Sequence, residues 1–151
     1  MSSHDVAAVL RIEQRVYEFP WTHGNFIDSL AAGYLAELLQ DAEGGVLAYF
    51  VALPGVDELH LLNLSVAPEQ QRQGHARTLL DRLEALCRAR GLPRLWLEVR
   101  ESNLRAIGLY TLRGFAAVGQ RRNYYPAAGG REHAVLMSLD VLSPRSNDAL
   151  D

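Results

Sequence analysis

The chain has 151 residues, 48% of them hydrophobic and 22% charged, which is typical of one globular domain with a substantial core. The formal net charge of −3 argues against a broad basic surface for nucleic acid. No apolar run approaches the roughly 20 residues that cross a bilayer, and no charged-then-apolar signal pattern opens the chain. We therefore expect a cytoplasmic monomer or weak dimer with no direct nucleic-acid partner and no membrane partner.

The single cysteine excludes an internal disulfide and a thiolate metal cluster. Cys87 lies among Leu79, Leu83 and Leu86 at helical spacing, so we interpret it as a small buried hydrophobe rather than a reactive thiol. His75 has no partner at the spacing of a metal ligand, and we expect no metal site.

Two helices are predicted before the first strand. Apolar residues recur at helical spacing over residues 5–17, with Asp5 as the predicted N-cap. The segment Phe19-Pro20-Trp21-Thr22 interrupts this pattern, and Thr22 is the predicted N-cap of a second short helix that runs to about Ala32. Three strands separated by turn residues follow, at 34–39, 45–53 and 58–66.

Helices and strands alternate in the second half of the chain. A helix over 75–90 is followed by Gly91 and a helix over 103–113 by Gly114, and glycine is a usual C-terminal stop. Strands are predicted at 95–99, 115–124 and 132–139, the last two as an antiparallel pair.

The order of these elements describes a mixed α/β (α+β) fold. Strand 58–66, helix 75–90 and strand 95–99 form a right-handed crossover, which makes the two strands parallel. Because the chain turns polar after residue 142, we predict one domain over 1–142 and a disordered tail over 143–151.

The segment Gln71 to Arg77 has the features of a phosphate-binding loop. It follows a predicted strand and opens a predicted helix, where free backbone N–H groups and the helix dipole favour an anion. Gly74 lets the backbone approach a bulky anion. The alternative is an ordinary capped turn with solvated arginines. The predicted phosphate contacts are Arg72, Gln73, Gly74, His75, Ala76 and Arg77.

A nucleotide-binding domain is a weak alternative for this loop. The loop lacks the Gly-Lys-Ser/Thr ending of a P-loop and the three glycines of a dinucleotide fingerprint.

The Q/R-x-x-G-x-G/A pattern, formed by Gln71, Gly74 and Ala76, resembles the acetyl-CoA pyrophosphate loop of the GNAT N-acetyltransferases. Further matching segments make the resemblance specific over roughly residues 5–140. These segments are Ile12-Glu13-Gln14-Arg15, Phe19-Pro20-Trp21, Leu95-Trp96-Leu97-Glu98-Val99-Arg100, Ser102-Asn103, Ile107 to Tyr110, Gly114-Phe115 and Arg121-Arg122-Asn123-Tyr124-Tyr125-Pro126.

Within the GNAT family the chain resembles bacterial enzymes that acetylate the N-terminal alanine of a small-subunit ribosomal protein. The resemblance implies the GNAT fold: a mixed, mostly antiparallel sheet with a central parallel βαβ pair and helices on both faces. It also implies acetyl-CoA as cosubstrate, no metal, and the N-terminal segment of a ribosomal protein as partner.

Two departures from the family pattern stand out. Ala76 replaces a second glycine of the loop, which is an accepted variant. Only residues 1–4 precede Asp5, so the strand that usually opens the family fold is short or missing.

Glu98 is the candidate general base. The resemblance implies that the glutamate of the Trp-Leu-Glu-Val segment accepts the amine proton, and Glu98 matches it. Its apolar neighbours Leu97 and Val99 favour partial desolvation, which makes a carboxylate a better proton acceptor. The alternative is a structural glutamate paired with Arg94 or Arg100 on a polar strand face.

Tyr110, on the predicted helix 103–113, is the candidate general acid. The resemblance implies that it protonates the departing thiolate, whereas spacing alone also fits a core aromatic beside Ile107 and Leu109. Asn103 is the predicted N-cap of this helix, and the resemblance adds a contact with the cofactor.

Two further groups complete the predicted site. The strand end is expected to offer backbone groups to the pantetheine amides and an N–H to the thioester oxygen, through Leu64, Ser65 and Val66. Aromatic side chains are expected to line the acceptor groove, namely Trp21, Tyr124 and Tyr125. The alternative for Trp21 is core packing.

The resemblance implies direct transfer in a ternary complex, without a covalent enzyme intermediate. Alternative acceptors within the same fold are a lysine side chain, another N-terminus or a small-molecule amine. A different class of function is a non-catalytic acyl-CoA-binding partner subunit. The presence of both Glu98 and Tyr110 argues against it, because binding alone needs neither side chain.

Overall fold

The computed structural model describes residues 1–142, which form four α-helices and six β-strands. The helices are α1 (Val6–Val16), α2 (His23–Ala31), α3 (His75–Arg90) and α4 (Leu104–Arg113). The strands are β1 (Leu35–Gln40), β2 (Val46–Pro54), β3 (Glu58–Val66), β4 (Arg94–Arg100), β5 (Ala116–Ala127) and β6 (Gly130–Asp140). The predicted tail over 143–151 lies outside the described residues.

The strands form one sheet in the order β1-β2-β3-β4-β6-β5. β1 pairs antiparallel with β2, and β6 pairs antiparallel with both β4 and β5. Along β4, buried Leu95, Leu97 and Val99 alternate with half-buried Trp96 and Glu98. The predicted mixed α/β fold and the final antiparallel pair are confirmed.

The β5–β6 hairpin extends further than the sequence predicted. Pairing resumes after an irregularity between Arg121 and Tyr125, where Asn123 adopts a φ of 52°. The backbone N–H of Asn123 donates to Nδ1 of His133 at 2.9 Å. This side-chain acceptor satisfies the backbone donor of Asn123 at the irregularity, and the pairing continues beyond it to the turn.

Two predicted helix caps are confirmed. Oγ1 of Thr22 accepts from the N–H of Asn25 at 3.1 Å, at the start of α2. Oδ1 of Asn103 accepts from the N–H of Ala106 at 3.2 Å, at the start of α4. Each bond satisfies one backbone donor of a first helical turn, which is why these residue types favour the position.

The predicted capping role of Asp5 is wrong, because its side chain does not bond a backbone N–H of the helix. Asp5 occupies the N-cap position of α1, but its Oδ2 accepts from the N–H of Ser2 at 2.7 Å instead of from the helix. The carboxylate therefore closes the 3-10 turn Ser3–Asp5. Ahead of α1 the described residues contain no strand, and the N-terminal ammonium donates to the carbonyl of Ala36 on β1 at 3.0 Å.

Contacts between residues divide the chain into two compact units. The first unit comprises Met1–Pro54 and Leu61–Leu83, and the second comprises Gly55–His60 and the chain from Glu84 onward. β3 and α3 are therefore each divided between the units. The predicted single domain over 1–142 stays a prediction.

The core of the first unit is built on one face of α1. Val6, Val9 and Ile12 recur at helical spacing and are buried. The rings of Phe26 and Tyr49 meet edge to face in this core, with centroids 5.9 Å apart. Val51 and Ala67 complete the cluster of fully buried residues.

The second unit buries alternate side chains of β4 and β6. Leu95, Leu97, Met137 and Leu139 are all buried. Cys87 on α3 is fully buried, which confirms the prediction of a small core hydrophobe. Burial raises the pKa of its thiol to about 11, so the reactive thiolate is scarce at neutral pH.

Two glycines in or next to α4 differ in backbone conformation and in the space around them. Gly114 ends the helix in the left-handed region at a φ of 111°, and a Cβ there would meet Cδ1 of Leu139 at 3.4 Å. Gly108 lies inside the helix, and among the described residues a Cβ there would meet no atom within 4 Å.

We predict that Gly114→Ala lowers the free energy of unfolding by roughly 1–2 kcal/mol, because alanine is strained at positive φ. Gly108→Ala should raise it by about 0.5–1 kcal/mol, because alanine loses less backbone entropy on folding. Urea unfolding of both variants beside the parent protein measures the two effects. A change of the same sign in both variants would contradict this explanation.

Candidate active site

The segment between β3 and α3 forms a turn with two residues in the left-handed backbone region. Arg72 has a φ of 63° and Gly74 a φ of 84°. A non-glycine residue costs about 1–2 kcal/mol in this conformation, so Arg72 is a strained position of the turn. The turn delivers the chain into α3, which begins at His75.

Side chains of the loop bond within the loop, and its arginines stay accessible. Nε2 of Gln73 donates to the carbonyl of Glu69 at 3.4 Å, and Nε2 of His75 lies 3.4 Å from Oε1 of Gln70. The first turn of a helix leaves backbone N–H groups without helical partners, which favours an anion. The predicted phosphate contacts thus lie together at one helix N-terminus. Two of them, His75 and Ala76, are half-buried. The others are exposed: Arg72, Gln73, Gly74 and Arg77.

Backbone carbonyls at the end of β3 already accept hydrogen bonds from side chains. The hydroxyl of Tyr17 donates to the carbonyl of Leu64 at 3.1 Å, and Nε2 of Gln71 donates to the carbonyl of Val66 at 3.3 Å. Desolvation raises the pKa of Tyr17 to about 12, so it remains a donor at neutral pH. The segment around buried Ser65 is therefore held by side chains that precede and follow it in the chain.

Glu13 is the centre of a buried polar network in the first unit. The residue is 1% exposed. Its Oε1 accepts from the hydroxyl of Tyr49 at 2.6 Å and from Nδ2 of Asn63 at 2.8 Å, and its Oε2 accepts from the backbone N–H of Trp21 at 2.9 Å. The carboxylate therefore ties the segment after α1 to β2 and β3. The sequence signal for this role was a glutamate on the apolar stripe of α1, four residues after Val9.

Trp21 lies at the margin of the first unit's core. It is half-buried and packs against that core, with its ring centroid 5.1 Å from that of Phe26. This position agrees with the core-packing alternative. A role for Trp21 in binding an acceptor stays a prediction.

Glu98, on β4 in the second unit, is held by two cationic or donor groups. Its side chain is 6% exposed. Nε2 of His60 lies 2.9 Å from Oε1, and Nε of Arg121 lies 2.9 Å from Oε2. Glu98 thus contacts His60 and Arg121, whereas the sequence alternative named Arg94 or Arg100. Arg100 donates to Oε1 of Glu132 at 3.1 Å.

His60 was missed by the sequence analysis. Its imidazole stacks on the indole of Trp96, with ring centroids 3.6 Å apart and an angle of 9° between the planes. Burial lowers the pKa of His60, and the negative charge of Glu98 opposes this shift. A signal was present, since His60 alternates with buried Leu59 and Leu61 along a predicted strand.

Tyr110, on α4, is 8% exposed and lies beside Phe115, with ring centroids 5.4 Å apart. Its place in the core fits the structural alternative, and the general-acid role stays a prediction. Asn103 caps the same helix, so its structural role is confirmed. Its contact with a cofactor stays a prediction.

Tyr124 and Tyr125 form an aromatic pair at the irregular part of β5. Their rings meet edge to face with centroids 5.0 Å apart. The guanidinium of Arg121 lies 5.3 Å from the ring centroid of Tyr124, and that of Arg100 lies 4.5 Å from the centroid of Tyr125. Desolvation raises the pKa of Tyr124, and the charge of Glu98 and a hydrogen bond with its carboxylate add to this shift. Tyr124 is 42% exposed, which leaves its ring open to a ligand.

Residues 1–142 lack two kinds of feature. Those residues contain no group of three or more His, Cys, Asp or Glu side chains arranged to hold a metal ion. They also contain no helix with the length and apolar character needed to span a bilayer.

Comparison with known proteins identifies the family. Residues 6–115 match the model of the acetyltransferase (GNAT) family. The chain is 41% identical to the ribosomal protein bS18-alanine N-acetyltransferase of Escherichia coli strain K12 over 93% of this chain and 95% of that protein. The crystal structure of the S18-alanine enzyme from Escherichia coli superposes with a TM-score of 0.87 at 39% identity, over 97% of this chain and 94% of that one.

A more distant relative shares the fold. It is a GNAT acetyltransferase of Elizabethkingia anophelis, with a TM-score of 0.68 at 17% identity over 77% of this chain and 82% of that one. That structure has acetyl-CoA bound.

The chain belongs to the GNAT family of acetyltransferases and has the GNAT fold. It is an N-acetyltransferase, and acetyltransferases of this family use acetyl-CoA.

We predict that Glu13→Gln lowers the free energy of unfolding by roughly 2–4 kcal/mol, because an amide nitrogen would face donors that now bond a carboxylate oxygen. The exposed Glu18 lies in the same region, and Glu18→Gln should change stability by less than about 0.5 kcal/mol. Thermal and urea unfolding of the two variants measure the difference. Equal stability of both would contradict a structural role for the Glu13 network.

Proposed function

We propose that this protein is an acetyl-CoA-dependent Nα-acetyltransferase whose acceptor is the N-terminal alanine of a small-subunit ribosomal protein. The proposal rests on the 41% identity, across 93% of the chain, to an enzyme named for that acceptor. A ribosomal protein is made in the cytoplasm, so the proposal implies a cytoplasmic enzyme.

We propose that the first unit supplies the main contacts for the cosubstrate. The N-terminus of α3 and its arginines match the charge of a pyrophosphate, and the end of β3 offers backbone groups to the amides of pantetheine. Asn103 is proposed as an additional contact. The proposed cosubstrate residues are Leu64, Ser65, Val66, Arg72, Gln73, Gly74, His75, Ala76, Arg77 and Asn103.

The proposed chemistry needs one proton acceptor and one proton donor. Glu98 accepts a proton from the amine while the amine nitrogen attacks the thioester carbonyl carbon and forms the new C–N bond. A backbone N–H at the end of β3 stabilises the tetrahedral oxyanion. When the intermediate collapses, the C–S bond breaks, its electron pair leaves on sulfur, and Tyr110 protonates the thiolate. Both side chains then exchange protons with solvent before the next turnover.

An N-terminal amine suits a carboxylate base better than lysine does. Its pKa is about 7.7–8.0, against about 10.4 for a lysine side chain, so a larger share of it is neutral near pH 7. We propose that Tyr124, Tyr125 and Trp21 line the groove for the peptide. Of these, Tyr124 is the most exposed residue.

We expect acetylation of a peptide that carries the alanine-initiated N-terminus of the ribosomal acceptor, and none of a matched peptide with a blocked N-terminus and a free lysine. The free amines of the two peptides differ in pKa and position, so comparing the two peptides distinguishes transfer to an N-terminus from transfer to a lysine side chain. Release of coenzyme A and the mass of the peptide measure turnover. Turnover of the lysine peptide alone would contradict this acceptor assignment and indicate a lysine side chain as the acceptor. Acetyl-CoA binding without turnover of any amine would favour a non-catalytic subunit.

We expect Glu98→Gln and Tyr110→Phe each to lower kcat by roughly 10²–10⁴-fold, because each removes a positioned proton-transfer group. Acetyl-CoA affinity, measured by calorimetry, should stay near that of the parent protein. Matched controls are Glu43→Gln in an exposed turn and Tyr34→Phe at the margin of the first unit's core. Near-normal turnover in both test variants, with the fold retained, would contradict the mechanism.

A further inference from the structure

We propose that His60 is a positioning residue for the reaction: its Nε2–H holds Oε1 of Glu98 and leaves Oε2 as the oxygen that accepts the amine proton. The inference deepens the proposed function and rests on the role of Glu98 in it. It concerns a side chain on β3, outside the Trp-Leu-Glu-Val segment that pointed to Glu98.

The contact between His60 and Glu98 depends on a hydrogen bond and on the stacking of His60 on Trp96. The 2.9 Å separation of Nε2 and Oε1 is a hydrogen-bond distance, and the side chains are 17% and 6% exposed. The stack on Trp96 fixes the plane of the imidazole, so Nε2 cannot tilt out of that plane without losing ring contact. His60 therefore constrains the direction in which the carboxylate of Glu98 points.

The chemistry of the pair determines which nitrogen carries the proton. An ionised carboxylate only accepts hydrogen bonds, so the nitrogen that faces Oε1 must carry hydrogen. In neutral His60 this is the Nε2–H tautomer, with Nδ1 unprotonated. The charged and titratable groups that act on the ring are Glu98 on β4, Arg121 on β5 and Glu58 on β3. Burial outweighs them and lowers the pKa of His60, which keeps the ring neutral near pH 7.

A neutral donor suits a catalytic carboxylate. Arg121 already places one positive charge beside Oε2, and a lysine or arginine at position 60 would orient Oε1 equally well but add a second. An adjacent cation favours the charged carboxylate and opposes its protonation. Neutral His60 gives the same orientation without that charge.

The other oxygen is held less firmly. Nε of Arg121 lies 2.9 Å from Oε2 without the alignment of a hydrogen bond, and the side chain of Tyr124 interacts with the same carboxylate. The side chain of Arg121 is 50% exposed and lies on the edge strand β5. An incoming amine can therefore displace the guanidinium from Oε2, whereas Oε1 remains bonded to His60.

The test compares His60→Ala, which removes the donor, with His60→Gln, whose amide N–H reaches the same oxygen without a titratable ring. His4→Gln is the control, because His4 is exposed near the N-terminus. With acetyl-CoA and the alanine peptide, we expect kcat of His60→Ala to fall roughly 10- to 100-fold with little change in the KM for acetyl-CoA. His60→Gln should retain most of the activity.

The pH profile separates positioning from simple packing. In the parent protein, protonation of His60 at acid pH places an imidazolium beside Glu98 and weakens it as a proton acceptor. Because burial lowers the pKa of His60, this loss begins below its ordinary value of about 6.5. His60→Gln lacks the titration, so its kcat should persist to lower pH than that of the parent. Parent-like kcat in His60→Ala, or equal losses in the Ala and Gln variants, would overturn the proposal.

A measurement on the free protein keeps the inference independent of the acceptor. Nitrogen-15 NMR of the histidine rings at pH 7.5, with the His60 signals assigned by their absence in His60→Gln, should detect the neutral Nε2–H tautomer. Glu98→Gln should shift these signals, and His4→Gln should leave them unchanged. An Nδ1–H tautomer would overturn the proposal even if the alanine peptide is turned over. If the parent enzyme does not acetylate that peptide, the acceptor assignment fails and the tautomer still decides the role of His60.

Discussion

The burial of carboxylates is the constraint on which the rest of the structure depends. Glu13 and Glu84 are 1% exposed, and the side chain of Glu98 is 6% exposed. An ionised carboxylate that leaves water costs several kcal/mol unless other donors replace the solvent. The first unit therefore arranges helix, loop and strands around Glu13, and the second arranges its own elements around Glu84 and Glu98.

The kind of donor separates the structural carboxylates from the candidate catalytic one. Neutral donors hold both oxygens of Glu13, and the guanidinium groups of Arg113 and Arg88 hold Glu84. Glu98 has an imidazole on one oxygen and a half-exposed guanidinium near the other. Within the described residues its Oε2 is one of two buried side-chain atoms without a hydrogen bond. Such atoms are rare in native proteins, and an acceptor whose neighbouring cation can be displaced suits proton abstraction.

Local features of the fold could be predicted from the sequence, and long-range partners could not. The hydrophobic periods and the caps at Thr22 and Asn103 depend on neighbours a few residues away, so the helices and strands were predicted closely. Glu13 bonds residues 36 and 50 positions away, and no local pattern specifies that distance. The cap at Asp5 failed because a nearer backbone donor, the N–H of Ser2, competed for its carboxylate.

The candidate site, like the fold, could be predicted only in part from the sequence. A contiguous motif identifies the side chain that reacts, because Trp96 to Val99 lie on one strand, but it carries no information about the strand beside it. His60 meets Glu98 through strand register, which forms only when the sheet forms. The partners of Glu98 differ from those of Glu84, and this difference affects proton uptake. Two guanidinium groups hold the carboxylate of Glu84, whereas Glu98 has one half-exposed guanidinium near Oε2 and an imidazole on Oε1 that orients it without adding a second full charge. The chemistry proposed for Glu98 therefore depends on a residue of β3 as much as on its own strand.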